Sequence, residues 1–431
     1  MGNTITYLRL KFSLASPLAI GSGNDSVTDS DVILDSAGDP VIPATALAGA
    51  IRHFFAVYGE LDDGFWGTIG NGSDGKAISS RIRFYDAVLE SDHFITVRDG
   101  VALSSKLPSE LPDNEMPYNK IAIDGAKFDM EAVETNAEFS TLIELLDASE
   151  KEKSDIIKAL AAFDCGVLRI GSKTSRGYGQ ISISWLGISE FTLPQERKRW
   201  LDFDQFDQRN EEDYVEITPK LKEFSAADFA DTISLKLKQK GAISIRSYTV
   251  KDISSADYIQ LSTNDGVPVI PGTSWAGAFR SRFKELSADS DLTDKLFGFV
   301  DIDNNRQQKS RIYFTESRLE NGITKRITRN AIDRFSAGVK DGALYSEITC
   351  YDGCCDLDIT LMKDIKEAEK CRIIIAAVLC DLNNGYLSIG GLASVGRGHF
   401  EITEMKLNGR DVTEALKKGD LVGMMGDDIS E

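Results

Sequence analysis

The residues best suited to chemistry sit in two glycine-rich segments. Ile170-Gly171-Ser172-Lys173-Thr174-Ser175-Arg176-Gly177-Tyr178-Gly179 interleaves glycines with a lysine, an arginine, hydroxyls and a tyrosine. Glycine lets a backbone come close to a phosphate. Clustered N–H groups form an anion nest. Lys173 and Arg176 add countercharge, Thr174 and Ser175 add hydroxyls, and Tyr178 offers a ring on which a base can stack. A tight helix-to-strand turn is the alternative use of the same residues. The second segment, from Ile389 to Gly398, keeps Gly390, Gly391, Ser394, Gly396, Arg397 and Gly398. It has Leu392 where the first has Lys173, which predicts a looser grip on phosphate.

Two further features point to anion binding. Pro43 and Pro271 each introduce a helical pattern, with Thr45 or Thr273 as N-cap. The free amides of such a start suit a phosphate, helped by the hydroxyls of Thr45, Thr273 and Ser274. Arg52 and Arg280 follow on these helices, as phosphate contacts or as ordinary surface charges. Lys325, Arg326, Arg329, Arg334 and Lys340 place five basic residues in sixteen, in a chain whose net charge is −19. That density suits a hairpin laid along a nucleic-acid backbone, or a solvated hairpin.

The elements that must hold these groups occur twice. Val41-Ile42-Pro43-Ala44-Thr45 and the following helix match Val269-Ile270-Pro271-Gly272-Thr273, offset 271 − 43 = 228. Ser80-Arg81-Ile82-Arg83-Phe84-Tyr85-Asp86 matches Ser310-Arg311-Ile312-Tyr313-Phe314-Thr315-Glu316 at offset 230. Ile123-Asp124 matches Ile332-Asp333 at 209, and the glycine segments match at 219. The drop from 230 to 209 places a longer loop in copy one, around 107–117. The copies run 1–190 and 232–431, joined by an acidic, aromatic connector over 191–231 that packs partly on a neighbouring surface. Each copy reads strand–helix–strand–strand–helix–strand, a ferredoxin-like α+β unit with insertions. Leu8, Leu10, Phe12 and Leu14 alternate with Arg9, Lys11 and Ser13, which predicts a half-buried opening strand.

Composition excludes several classes. The chain has 431 residues and is 42% hydrophobic, enough for two or three cored domains. No apolar run reaches the roughly 18 residues of a membrane span. The N-terminus has no secretory pattern. Cys350, Cys354 and Cys355 lack a histidine partner and are expected to be reduced thiols rather than zinc ligands.

The paired Ile-Pro-x-Thr-x-x-x-Gly-Ala-x-Arg segments and the two closing glycine turns resemble the RAMP superfamily, the repeat-associated proteins of CRISPR effector complexes. The chain looks like a fused pair of the backbone subunits that line guide RNA in type III complexes. The resemblance implies two tandem ferredoxin-like (RRM-like) domains with inserted β-hairpin thumbs, the basic cluster lying at the second thumb. The copy-one thumb, around Lys120, Asp124 and Lys127, is less basic. Implied partners are crRNA, complementary target RNA, neighbouring RAMP proteins and a large subunit, in the cytoplasm and away from membranes. Ala48 and Ala276 stand where the family usually has a lysine, and Ala44 where it has a glycine.

Family subunits that cut target RNA carry an aspartate in the loop before the second strand. Asp29 and Asp257 each lie fourteen residues before the helix proline. Asp25 and Asp31 compete with the first, Asp252 with the second. A carboxylate there could hold Mg²⁺ or Mn²⁺, or orient a ribose 2′-hydroxyl toward the adjacent phosphate. The expected function is therefore guide binding with metal-dependent cleavage at two sites. The alternatives are a non-catalytic scaffold and a metal-independent crRNA-processing endoribonuclease. For the last, His53, His93 and His399 do not recur between copies.

Overall fold

The computed structural model describes residues 3–23, 28–68, 77–103, 122–206, 211–247, 256–301 and 304–426. It is an α+β protein built as two compact units. The first takes its described residues from Met1–Thr96, Glu131–Thr174 and Tyr178–Phe229. The second takes them from Val97–Met130, Ser175–Gly177 and Ala230–Glu431. The loop expected at 107–117, together with Lys120, Asp25 and Asp252, lies outside the described residues.

In the first unit the main sheet runs Ile82–Phe84, Glu138–Leu146, Asn3–Leu14, Ile181–Leu193, Val215–Glu216, with every pairing antiparallel. Helices Ala44–Tyr58 and Glu150–Asp164 pack with it. The second helix starts at a capping box: Ser149 Oγ accepts from Glu152 N at 3.2 Å, and Ser149 N donates to Glu152 Oε2 at 2.7 Å. Such a box satisfies two otherwise orphaned donors and contributes on the order of 1 kcal/mol.

The opening strand departs from its expected half-burial. Arg9 is only 3% exposed. The connector folds back over this sheet, and Trp200, Phe203 and Tyr214 pack with Ile5, Tyr7, Leu142 and Phe191. Arg9 donates to Gln205 O at 2.6 Å and lies over the Tyr214 ring. Alternation in a strand shows which side chains share a face, but not whether distant chain will roof the polar face.

The second unit repeats the order: Ile312–Phe314, Cys354–Met362, Ala230–Lys240, His399–Leu407, Arg410–Asp411, again antiparallel. Helices Gly272–Ser287 and Ala368–Asn383 complete it. Trp275, Phe279, Phe283, Phe314 and Phe400 are fully buried in its core. One aromatic pair recurs in both units: Trp66 stacks on Phe84 with centroids 6.3 Å apart, and Phe297 on Phe314 at 6.4 Å.

A two-stranded hairpin, Ile323–Ile332 with Val339–Tyr351, extends from the second unit. Tyr258–Gln260 pairs parallel to its return strand. The corresponding strands of copy one, Ile95–Leu103 and Ala122–Val133, form a separate two-stranded sheet. Among the described residues no helix is long and apolar enough to cross a membrane.

Candidate nucleic-acid interface

The two glycine turns have one backbone. Gly171, Lys173, Gly177 and Gly179 have φ of 84°, 53°, 91° and 76°; Gly390, Leu392, Gly396 and Gly398 have 83°, 61°, 79° and 75°. Ser172 N donates to Ala19 O at 2.8 Å, as Gly391 N does to Ser244 O. The closing glycine is obligatory in each. A Cβ on Gly179 would stand 1.8 Å from Ile170 O, and one on Gly398 2.0 Å from Ile389 O.

Side chains differ more than the backbones do. Arg176 is exposed, and among the described residues no carboxylate or hydrogen-bond acceptor pairs with it. Loss of water around it, and then the nearby Arg280 charge, lower its pKa; as an arginine it stays protonated. Among the described residues Arg176 is thus a cation without a counter-anion. Lys173, Thr174 and Ser175 are half-buried. Tyr178 is 4% exposed, so its ring belongs to the core and not to a stacking surface.

Arg397 occupies the position equivalent to Tyr178 (397 − 219 = 178) and is likewise buried, at 2% exposure. It forms a two-pronged pair with Glu347, with Nη1–Oε2 at 2.7 Å. Its charge is spent inside the unit, which corrects the expectation that it meets phosphate. The residue equivalent to Arg176 is Val395, 60% exposed. Ser394 is exposed. The second turn therefore offers a backbone nest and a hydroxyl but no surface cation.

At the helix starts Pro43 and Pro271 themselves take the N-cap position, without side-chain caps. The hydroxyls of Thr45 and Thr273 do not cap, because each falls one residue inside the helix. In copy one Asp86 Oδ1 accepts from Ala44 N at 2.7 Å, so a carboxylate already occupies the amide expected to meet phosphate. Arg52 is exposed. Arg280 is tied to Asp294 at 2.5 Å and to Gly298 O at 2.7 Å. Thr273 and Ser274 are half-buried.

The basic cluster lies on the hairpin of the second unit. Lys325, Arg326, Arg334 and Lys340 are exposed. Lys325 also approaches the Tyr351 ring, and Arg329 lies 3.7 Å from Glu347. Sequence reading missed the tip. Asp333 Oδ1 accepts from Phe335 N at 3.0 Å and Ser336 N at 2.8 Å, fixing a turn that leaves Phe335 97% exposed. The signal was present as an Asp-x-x-Ser turn following a basic strand. In copy one, Lys127 lies 3.8 Å from Asp99, so that hairpin offers less free charge.

Both candidate aspartates are exposed and lie beside the return strand of a hairpin. Ser30 O accepts from Glu131 N at 3.0 Å, and Glu131 Oε2 accepts from Val32 N at 3.0 Å. These bonds pin the Asp29 loop to Ala122–Val133. Asp31, its competitor, is buried and accepts from Thr28 N at 2.8 Å. Asp257 Oδ2 accepts from Ser346 N at 2.6 Å and from Ser346 Oγ at 3.3 Å, pinning its loop to Val339–Tyr351. Arg246 lies 3.8 Å from the centroid of the neighbouring Tyr258 ring. Among the described residues no group of three His, Cys, Asp or Glu side chains is arranged to hold a metal.

With this geometry in place, the match to a protein family agrees with the repeat. The chain matches the RAMP superfamily over 11–182 and 249–401, once in each copy, and belongs to that family. No curated protein matches it in sequence. Among solved structures it is similar to a chain of a cryo-EM structure of the type III-B Cmr-beta bound to cognate target RNA. The identity is 15% and the TM-score 0.33, over 44% of this chain. The match spans 64% of that chain, just under two thirds.

Proposed function

We propose that this protein is a tandem guide-RNA-binding backbone subunit of a type III CRISPR ribonucleoprotein. The observation that carries the reading is a recurrence within one RAMP chain. A glycine nest, a two-stranded hairpin and an exposed aspartate pinned to its return strand occur in both copies. The strand order of each sheet supports a ferredoxin-like RAMP domain, with the hairpins as thumbs. Partners are crRNA, complementary target RNA, neighbouring RAMP proteins and a large subunit, in the cytoplasm.

The proposed reaction is cleavage of target RNA. The Asp29 or Asp257 carboxylate takes the proton of a ribose 2′-hydroxyl. The 2′-oxygen then bonds to the adjacent phosphorus as the P–O5′ bond breaks, and water protonates the departing 5′-oxygen. The products are a 2′,3′-cyclic phosphate and a 5′-hydroxyl. One carboxylate per site makes positioning of the duplex the main contribution to rate. Mg²⁺ or Mn²⁺ is the proposed cofactor. Among the described residues the protein donors alone do not make a cation site, so the remaining ligands would be oxygens of bound RNA.

The scaffold reading has one observation in its favour, in copy two: the Asp257 carboxylate is already engaged by Ser346. Assembly on a defined guide, with end-labelled complementary RNA and Mg²⁺, separates the readings. Asp29→Ala and Asp257→Ala should each erase one cut while target binding persists. A wild-type cleavage pattern in the double variant makes both aspartates turn residues and the chain a scaffold.

A further inference from the structure

The second unit contains an internal example of one segment seated on another. Its tip Ser175–Gly177 lies against the start of helix Gly272–Ser287 and the end of strand Ile312–Phe314. Phe314 N donates to Ser175 O at 3.3 Å, and Arg176 bridges in parallel to Phe314. The approach is backbone on backbone: a Cβ on Gly272 would stand 2.5 Å from the Arg176 carbonyl carbon and oxygen. Pro271, Gly272 and Phe314 are all buried there.

Because the chain is duplicated, it carries a second tip and a second seat. The second tip is Ser394, Val395 and Gly396, all exposed on the same turn backbone. The second seat is Pro43, Ala44 and Phe84, each only half-buried where its counterpart is buried. The seats differ at one decisive atom. Ala44 carries the methyl group that Gly272 must lack.

We propose that the tip at 394–396 docks onto a separate protein chain whose helix begins Pro-Gly, as Pro271-Gly272 does. The chain's own second seat is closed to that tip by the Ala44 methyl. A tip-on-seat contact is heterologous and would otherwise propagate into a filament. Ala44 thus sets directionality: the protein adds to a glycine-bearing neighbour and does not add to itself. The inference rests on contacts within the chain and is independent of the RNA reading.

Sedimentation velocity over a concentration series tests it with the full-length chain. Wild type should sediment at a value independent of concentration. Ala44→Gly with Asp86→Glu, which re-creates the Gly272 and Glu316 chemistry in copy one, should show a sedimentation coefficient that rises with concentration. Adding Val395→Asp, at an exposed position, should abolish that rise, with unchanged circular dichroism in all three proteins. A double variant that behaves as wild type overturns the proposal. So does association that survives Val395→Asp, or a wild type that already associates through Val395.

Discussion

Turns 171–179 and 390–398 trace the same path, but different groups hold them. Beneath the first, buried Arg169 donates to Gly166 O at 3.2 Å and Thr174 O at 3.0 Å, bracing the turn through its own carbonyls. Position 388, its equivalent, is a serine. The second turn is braced instead by Arg397, which reaches out to Glu347 on the hairpin's return strand. The first turn is thus self-contained and leaves Arg176 available. The second spends its arginine on coupling turn to hairpin. One backbone has been kept while the charge moved from surface to core.

Three measurements press on this contrast, and a fourth reads the buried thiols. The shared backbone should fail in the same way in both copies. Gly179→Ala and Gly398→Ala each place a methyl inside van der Waals contact with a carbonyl at positive φ, and should each cost at least about 5 kcal/mol. Loss of soluble folded protein or a lowered urea midpoint reports it, and tolerance of either change breaks the equivalence.

The bracing should differ. Arg397→Ala strands a buried carboxylate and should cost about 3–5 kcal/mol in urea unfolding. Arg176→Ala, removing an exposed cation that has no partner among the described residues, should stay within about 0.5 kcal/mol of wild type.

On the RNA reading, affinity separates the turns in the opposite sense. Lys173→Ala and Arg176→Ala should each lower the slope of log K against log salt for single-stranded RNA by about 0.7. Leu392→Ala and Val395→Ala should leave the slope unchanged. Fluorescence anisotropy across a salt series measures both.

The smallest effect concerns thiols. Burial pushes Cys355 and Cys371 up to about 12, because a thiolate there would lose its water. Only about one in ten thousand of either is thiolate at pH 8. Ellman's reagent should therefore titrate exposed Cys165 and Cys354 quickly in the native protein, and Cys355 and Cys371 only after denaturation.

Sequence carried the repeat and most of its elements, because four blocks in constant order are a long-range signal that local ambiguity cannot erase. Both helices of each copy and the basic hairpin were legible from periodicity and charge. Side-chain destinations were not. Arg397 and Tyr178 look like surface chemistry in a glycine-rich string, yet both fall in the buried closing end of their turns, beside the last glycine. Arg9 looks like the wet side of a strand until the connector covers it. The helix caps were misread because proline at the start of each motif already supplies the extended φ and ψ of an N-cap. The aspartates were placed by counting, and the structure adds the strand beside them.

The chain's four tryptophans are unevenly shared. Trp66, Trp185 and Trp200 lie in the first unit, while Trp275 is the one in the second, fully buried with its indole N–H donating to Ser317 Oγ at 3.0 Å. The molecule thus contains its own optical label for each half. Emission from Trp275 should be blue-shifted and should redden only when the second core opens. A Trp275→Phe variant would leave emission from the first half alone. Fluorescence unfolding curves of the two proteins, subtracted, would then show whether the duplicated halves melt as one cooperative body or in sequence.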